Sequence, residues 1–254
     1  MPDLPSSTVR TGRVLVFQHL DCEHPGIFRN FLARDGITLD VIELDAGELP
    51  PEDFTPWDAL LVCGGPMDVW EEDRLPWLAI EKQAIRRWLA TGRPYLGLCL
   101  SHQLLAEAAG GAVGLMPIPD VGLRAPRPTP GAADDAIFRA LPAEITCVQW
   151  HGAMVTRLPP NAVVLATSDI TPVEAMRVGA NAWGVQFHIE VTAQMVADWT
   201  DIPEYDAALR RSLGADGAAA FLAATNAALP RMADIAERLY VGLRDRMGRV
   251  SAGS

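Results

Sequence analysis

The sequence predicts an α/β fold, a mostly parallel sheet flanked by helices with a nucleophile elbow and a C-terminal helical extension. Short apolar runs alternate with amphipathic stretches through the first half of the chain, and glycines follow the amphipathic stretches. The residues from about 192 onward are alanine-rich and helical in pattern. Strands that alternate with helices in this rhythm form a parallel sheet with helices on both faces.

The elements of the first half follow from their spacing of apolar residues. Continuous apolar runs predict four buried strands, at 14–17, 37–44, 59–63 and 95–98. Apolar residues at helical spacing predict three helices between and after these strands, at 28–32, 77–88 and 100–109.

The second half is less regular. A proline-rich stretch with little periodicity predicts a long surface loop or flap at 116–142. Four shorter strands are predicted to follow it, at 145–150, 163–167, 173–177 and 182–187. The helical part that comes next should break near Pro203, Gly214 and Pro230.

We therefore expect three parts along the chain. Residues 1–12 form an N-terminal tail, 13–200 the α/β domain, and 201–254 a helical extension. The extension either packs on the domain or serves as a homodimer contact.

The composition excludes several classes of function. The 254 residues carry a formal net charge of −11, whereas nucleic-acid binders usually carry a net positive charge. A negatively charged chain is also not attracted to an anionic membrane surface. The sequence contains no apolar run of membrane-spanning length and no signal-peptide pattern at its start. The four cysteines are widely spaced and form no CxxC pair, which favours a reduced, cytoplasmic location.

A candidate nucleophile follows the fourth predicted strand. Cys99 lies where that strand ends and a helix begins, with Gly97 two residues before it and the small Ser101 two residues after it. This is the context of a nucleophile elbow. The free N–H groups at the start of the helix favour a thiolate over a thiol. The alternative is a buried structural cysteine at a strand end.

A histidine and a glutamate two residues apart form the second candidate feature. On an extended backbone His188 and Glu190 project to the same side. The carboxylate can then orient the imidazole and stabilise its cation, which leaves the other ring nitrogen to accept the proton of the thiol.

The third feature is the turn Gly64–Gly65–Pro66 after the third strand. A glycine-rich turn at this edge of a parallel sheet can direct backbone N–H groups at an oxyanion. Taken alone, the same residues are more typical of an ordinary tight strand-to-helix turn.

Together these segments resemble the class I glutamine amidotransferases over about residues 13–200. The matching segments are VCGGPMDV at 62–69, GLCLSHQLLA at 97–106 and GVQFHIEVT at 184–192. The resemblance, which is greatest to free-standing domains similar to the glutaminase part of GMP synthase, implies Cys99 as nucleophile, His188 as base and acid, and Glu190 as the orienting carboxylate. It also implies roles for further residues, with an oxyanion hole from the Gly65 and Leu100 amides and substrate contacts from Gly64, Gln103, Trp150 and His151.

The sequence departs from the family pattern at two positions. Ser101 replaces the usual glycine after the elbow, and Ile189 replaces the usual proline between the histidine and the glutamate. Both are compatible with a working site, since serine is small and isoleucine preserves the alternation of His188 and Glu190. The segment from Asp120 to Arg124 is similar, more weakly, to γ-glutamyl peptidases of the same superfamily.

The resemblance implies thioester chemistry on glutamine or a γ-glutamyl substrate, with no metal or organic cofactor. Ammonia would pass to an acceptor or to a separate synthetase. One alternative is a stand-alone hydrolase of γ-glutamyl amides or peptides, and another is a regulatory subunit without catalytic activity. A metal site formed by His19, Cys22 and His24 is a further alternative, although their spacing matches no standard site.

Overall fold

The computed structural model describes residues 12–214 and 217–250. Its main element is an eight-stranded mixed sheet in the order β2-β1-β3-β4-β10-β9-β8-β6, joined by a two-stranded ribbon of β5 and β7. The ten strands are β1 Arg13–Gln18, β2 Thr38–Glu43, β3 Ala59–Val62, β4 Tyr95–Leu98, β5 Ala112–Arg124, β6 Arg127–Pro128, β7 Cys147–Arg157, β8 Ala162–Thr167, β9 Ala175–Val178 and β10 Ala182–Val185.

In the part of the chain that the structure describes, six α-helices accompany the strands and three short 3-10 helices lie in the connections. The α-helices are α1 Phe28–Arg34, α2 Trp77–Ala90, α3 Leu100–Ala108, α4 Ala193–Trp199, α5 Pro203–Leu213 and α6 Gly217–Val250. The 3-10 helices are Glu71–Asp73, Pro130–Ala132 and Phe138–Ala140. Among the residues described, no helix is both long and apolar enough to span a membrane.

The sheet is parallel where the site is built and antiparallel beyond it. β2, β1, β3, β4 and β10 pair in parallel, whereas β9, β8 and β6 add antiparallel strands at one side. Parallel strands place their carboxyl ends at one edge, so the turns after β3, β4 and β10 meet there. The prediction of a mostly parallel sheet flanked by helices with a C-terminal helical extension is confirmed.

Two apolar layers cover the sheet, as its buried strands require. Helices α1 and α6 pack on one face, and helices α2 and α3 pack on the other. A third apolar cluster joins the β5–β7 ribbon to α4, α5 and α6. Helix α6 therefore contributes both to the main core and to the cluster beside the ribbon.

The predicted loop at 116–142 is wrong in its first part. Residues up to Arg124 belong to β5, which pairs with β7, while β7 runs well beyond the predicted 145–150. The pairing shifts register between Leu115 and Asp120. Pro117 and Pro119 fall in that unpaired stretch, where a missing backbone N–H has no cost to the ladder.

The predicted helix break at Pro230 is also wrong, whereas the breaks before Pro203 and at Gly214 are present. Helix α6 continues through Pro230. A proline removes one helical hydrogen bond. Here the flanking residues Thr225 and Met232 are fully buried against neighbouring elements, and this packing keeps the helix continuous.

Candidate active site

Cys99 lies in a strained turn between β4 and α3. Its backbone has φ 49° and ψ −102°, in the region that favours glycine, and its amide donates to the Val185 carbonyl at 2.8 Å. A Cβ on Gly97 would stand 2.6 Å from the Ser101 carbonyl oxygen, so the turn closes only because Gly97 has none. This is the predicted elbow, and it presents the thiol above the edge of the sheet.

Ser101 fits the elbow without opening it. Its side chain is fully buried, and its hydroxyl donates to the carbonyl of Cys63 at the end of β3. The hydroxyl therefore links the first turn of α3 to the neighbouring strand. This bond explains how the structure accommodates a serine at a position where the family usually has glycine.

His188 and Glu190 form a buried pair beside Cys99. Nδ1 of His188 lies 2.6 Å from Oε1 of Glu190, and the Ile189 amide donates to the other carboxylate oxygen at 2.9 Å. Burial alone would lower the pKa of His188, but Glu190 and the adjoining Cys99 together raise it well above its ordinary value. The pair thus favours an imidazolium next to the thiol. A proline at 189 could not supply the amide hydrogen bond.

His19 fixes the glycine turn after β3. Its Nδ1 donates to the Gly64 carbonyl at 2.8 Å, and its Nε2 contacts Glu81 at 2.9 Å. Burial acts against the charged form, but Glu81 outweighs it, so the pKa of His19 is raised and both ring nitrogens can donate. Within the described chain, the Gly65 and Leu100 amides donate no hydrogen bond. They are thus free to bind a developing oxyanion.

Gly64 itself lies behind the cavity wall. A Cβ at this position would stand 2.7 Å from Oε2 of Glu23 and 3.2 Å from Cε1 of His188. The carboxylate and the imidazole therefore occupy the space over Gly64, whereas Gly65 faces the cavity. A direct substrate contact from Gly64, as the sequence predicted, stays a prediction.

A cavity of about 410 Å³ opens above Cys99, and most of the predicted binding residues line it. Gly65, Leu100, Gln103, Trp150 and His151 all contribute to its wall. The remaining walls come from the stretch after Gly65, from β5, from β7 and from α5; they are Pro66, Met67, Asp68, Leu115, Met116, Pro119, Gly152, Ala153, Glu204, Tyr205, Ala208 and Arg211.

Gln103 acts through a neighbouring amide. Its Nε2 donates to the Ala153 carbonyl at 3.0 Å and to Oε1 of Gln186 at 3.1 Å. Gln186 in turn donates to Sγ of Cys99 at 3.5 Å. Sequence reasoning missed Gln186, although it lies two residues before His188 on the same side of an extended segment and could have been found by that alternation.

His151 presents an unoccupied acceptor. Its Nδ1 contacts the Ala153 carbonyl at 2.8 Å and must therefore carry the proton, while its buried Nε2 has no partner among the described residues. Burial lowers the pKa of His151 to about 4, so the ring is neutral near pH 7. Nε2 can accept an N–H group from a molecule in the cavity.

Aromatic residues from α4 and α5 close the site on the side of the C-terminal extension. The Trp199 ring packs edge-on against His188 at 4.7 Å, and the Trp150 indole donates to the Tyr205 carbonyl at 3.1 Å. Tyr205 also donates its hydroxyl proton to Glu23. Sequence reasoning missed Glu23, Trp199 and Tyr205, since no motif marks them.

The alternative metal site near the first strand is not formed. His19 is held by Gly64 and Glu81, and His24 accepts from the Gly26 amide at 3.0 Å. Over residues 12–214 and 217–250 no group of three or more His, Cys, Asp or Glu side chains is arranged to hold a metal ion.

This geometry places the chain among α/β proteins that carry a cysteine on a nucleophile elbow. The family model for class I glutamine amidotransferases matches residues 25–196. The chain therefore belongs to the class I glutamine amidotransferases. A solved glutamine amidotransferase from Thermotoga maritima is similar to it with a TM-score of 0.81 and 25% identity, over 93% of this chain and 97% of that one.

Curated relatives include parts of GMP synthases and a peptidase. The chain is 37% identical over 146 residues to the glutamine-hydrolysing GMP synthase subunit of Ignicoccus hospitalis, a match that covers 56% of this chain and 72% of the relative. It is 24% identical over 183 residues to γ-glutamyl peptidase 3 of Arabidopsis thaliana, a match that covers 69% of this chain and 72% of the peptidase. The match to the GMP synthase of Aeropyrum pernix, at 35% identity, covers 52% of this chain but only 24% of that protein.

The strain at Cys99 predicts an unusual order of stabilities. Cys99→Gly should be more stable than Cys99→Ala by about 1 kcal/mol, because glycine relieves the positive φ and alanine does not. Urea unfolding of both variants measures the difference in the free energy of unfolding.

The control pair is Cys63→Gly and Cys63→Ala, at a buried position that is not among the residues with positive φ. Here alanine should be the more stable by about 0.5–1 kcal/mol. If the alanine variant is the more stable at both positions, the elbow is not strained.

Proposed function

We propose that the chain hydrolyses the side-chain amide of glutamine through a thioester on Cys99. The observation that carries this proposal is the buried arrangement of Cys99, His188 and Glu190 beneath a cavity that two free backbone amides face. Membership of the class I glutamine amidotransferases supports the same chemistry.

The first half of the reaction forms the thioester. The thiol proton of Cys99 passes to Nε2 of His188 before the attack, and Glu190 stabilises the resulting imidazolium through Nδ1. Sγ then attacks the δ-carbonyl carbon as a thiolate. The Gly65 and Leu100 amides bind the oxyanion of the tetrahedral intermediate. His188 then protonates the nitrogen, the C–N bond breaks and ammonia leaves.

The second half regenerates the thiol. A water molecule transfers a proton to His188 and adds to the thioester carbonyl, and the oxyanion again lies against the two amides. The C–S bond then breaks and His188 returns the proton to Cys99. Glutamate leaves the cavity, and no redox or metal step is required by this sequence of bonds.

Substrate orientation comes from polar groups of the cavity wall. Nε2 of His151 accepts a hydrogen bond from an ammonium or amide N–H group of the substrate. Gln103 holds Gln186 against the thiol, so it aligns the nucleophile rather than binding the substrate directly. Trp150 supplies the wall below the thiol, and its carbonyl lies 3.9 Å from Sγ.

The destination of the ammonia leaves two candidate functions. A separate synthetase is the first expected partner, since several relatives are named as glutamine-hydrolysing subunits of GMP synthase. A γ-glutamyl hydrolase is the second, and α5 favours it, because Glu204 and Arg211 add charged groups to a cavity wall beyond the family match. We expect a cytoplasmic location in either case, and a homodimer contact through 201–254 stays a prediction.

Replacing Cys99 by alanine should leave the fold intact and abolish at least about 99% of turnover, because no other thiol in the described part of the chain lies in an elbow. An electrophilic glutamine analogue should label Cys99 alone, which peptide-resolved mass spectrometry detects. Cys63→Ala is the matched control and should retain both labelling and activity. Labelling of Cys22 or Cys63, with turnover surviving in Cys99→Ala, would refute the assignment.

The histidine should be more sensitive to substitution than the glutamate. We expect His188→Ala to slow formation of the thioester by about 10³-fold or more and Glu190→Gln by less, because the base itself moves the proton while the carboxylate orients the ring and stabilises its cation. Single-turnover acylation rates at one pH compare the two. A larger loss in Glu190→Gln would reverse the division of roles.

An assay of the purified chain with two substrates separates the candidate functions. If the chain is a stand-alone hydrolase, it releases glutamate from γ-glutamyl dipeptides faster than from glutamine, and lysate from its source changes neither rate. If it supplies a synthetase, it hydrolyses glutamine slowly alone, because a competent state is sparsely populated, and lysate increases that rate. Cys99→Ala serves as the background control in each assay.

A further inference from the structure

A second carboxylate lies near the catalytic imidazole proposed above. Glu23, in the turn after β1, is buried with 1% of its surface exposed. Its Oε2 and the Cε1 edge of His188 both crowd the space over Gly64, at 2.7 Å and 3.2 Å from the point where a Cβ would stand. Glu190 occupies a different side of the ring, at Nδ1. Two buried carboxylates therefore lie near one imidazole, and Glu190 is the one that binds it.

Tyr205 of α5 holds this carboxylate in place. Its hydroxyl donates to Oε1 of Glu23, and the Tyr205 side chain is itself buried. The Tyr205 ring contacts the Trp199 ring at 5.8 Å, and Trp199 in turn packs on His188 at 4.7 Å. Helix α5 therefore reaches the imidazole both through a hydrogen bond to Glu23 and through aromatic packing.

The charges around Glu23 make its ionisation sensitive to this contact. The pKa of Glu23 is raised to about 7, chiefly by burial and to a smaller extent by the nearby Glu190, although His188 and the Tyr205 hydrogen bond oppose the rise. Other titratable groups also lie near these residues; they include His19, Cys22, Cys63 and Cys99, as well as His151 beside His188 and His24 beside Glu190. Removing the Tyr205 hydroxyl would therefore favour the neutral carboxyl.

We propose that Glu23 is a positioning residue whose carboxylate, oriented by Tyr205, holds the proton on His188 and makes the charged form of that imidazole depend on the docking of α5. The proposal rests on the proposed function for the role of His188. The Coulomb attraction between a carboxylate and an imidazolium in a buried site favours the charged ring. Glu23 thus adds to the effect of Glu190 without touching the substrate.

The test observes His188 directly in the full-length chain. With ¹⁵N-labelled imidazole rings, each of the five histidines gives its own NMR signals. Variants in which one histidine is replaced at a time assign these signals. We expect the pKa of His188 to fall by about one unit in Glu23→Gln, because the substitution keeps the shape of the side chain and removes one charge. An unchanged titration of His188 in a folded Glu23→Gln variant would overturn the proposal.

A second variant keeps the test decisive where Glu23→Gln does not fold. Tyr205→Phe should lower the pKa of His188 in the same direction by a smaller amount, and the double variant should do no more than Glu23→Gln alone. Tyr240→Phe is the matched control. Tyr240 lies on α6, away from the cavity, and its hydroxyl donates to the carboxylate of Asp35 at 2.8 Å. An equal shift in Tyr240→Phe would mean that general loosening, not Glu23, is responsible.

Turnover separates this inference from the proposed function. In Glu23→Gln the basic limb of the kcat/KM profile, where the imidazolium is lost, should move to lower pH by the same amount as the NMR titration. A purely structural role would lower kcat without moving that limb. If the wild type is inactive but the pKa of His188 falls in Glu23→Gln, only the proposed function is refuted. If the wild type is active but the pKa of His188 does not change in Glu23→Gln, only the role of Glu23 is refuted.

Discussion

The buried contact between His188 and Glu190 is the interaction around which the site is arranged. A charged pair removed from water is stable only if its remaining polar atoms have partners. Here the Ile189 amide satisfies the second carboxylate oxygen, and the N–H and C=O groups of His188 both form hydrogen bonds with the backbone of Val148 in β7. The surrounding aromatic residues exclude water, which strengthens the attraction and also makes every missing partner costly.

The turns after β3 and β4 are fixed in different ways. At Cys99 the backbone has a strained positive φ, and the turn can close because Gly97 has no Cβ. The turn at Gly64 is held by a histidine that follows the first strand and is itself paired with Glu81. The backbone donors that would bind an oxyanion therefore depend on His19, a side chain that does not line the cavity.

Local patterns made the central part of this structure predictable. Apolar runs located β1, β3 and β4 to within a residue or two, and the elbow context located Cys99, because both depend on residues adjacent in the chain. Alternation was enough to place His188 and Glu190 on one side. The prolines at 117 and 119 misled the prediction of β5, since a proline signals irregular backbone unless the pairing register leaves its position unpaired.

Long-range contacts could not be inferred in the same way. Glu23 and Tyr205 are 182 residues apart, and neither belongs to a pattern that distinguishes it from an ordinary surface glutamate or core tyrosine. His19 looked like a candidate metal ligand until its partners were visible. Their roles arise from packing between elements, which composition and periodicity do not encode.

The placement of α6 has a consequence for the order in which the chain matures. Tyr240 binds Asp35 across 205 residues, and the sheet face behind α1 is covered only when α6 docks on it. During synthesis the early strands and Phe31 therefore remain with apolar surface exposed until a helix made much later is available. The thiol elbow is translated well before the residues that enclose it, so a nascent chain carries its reactive cysteine before it carries the environment that directs its chemistry.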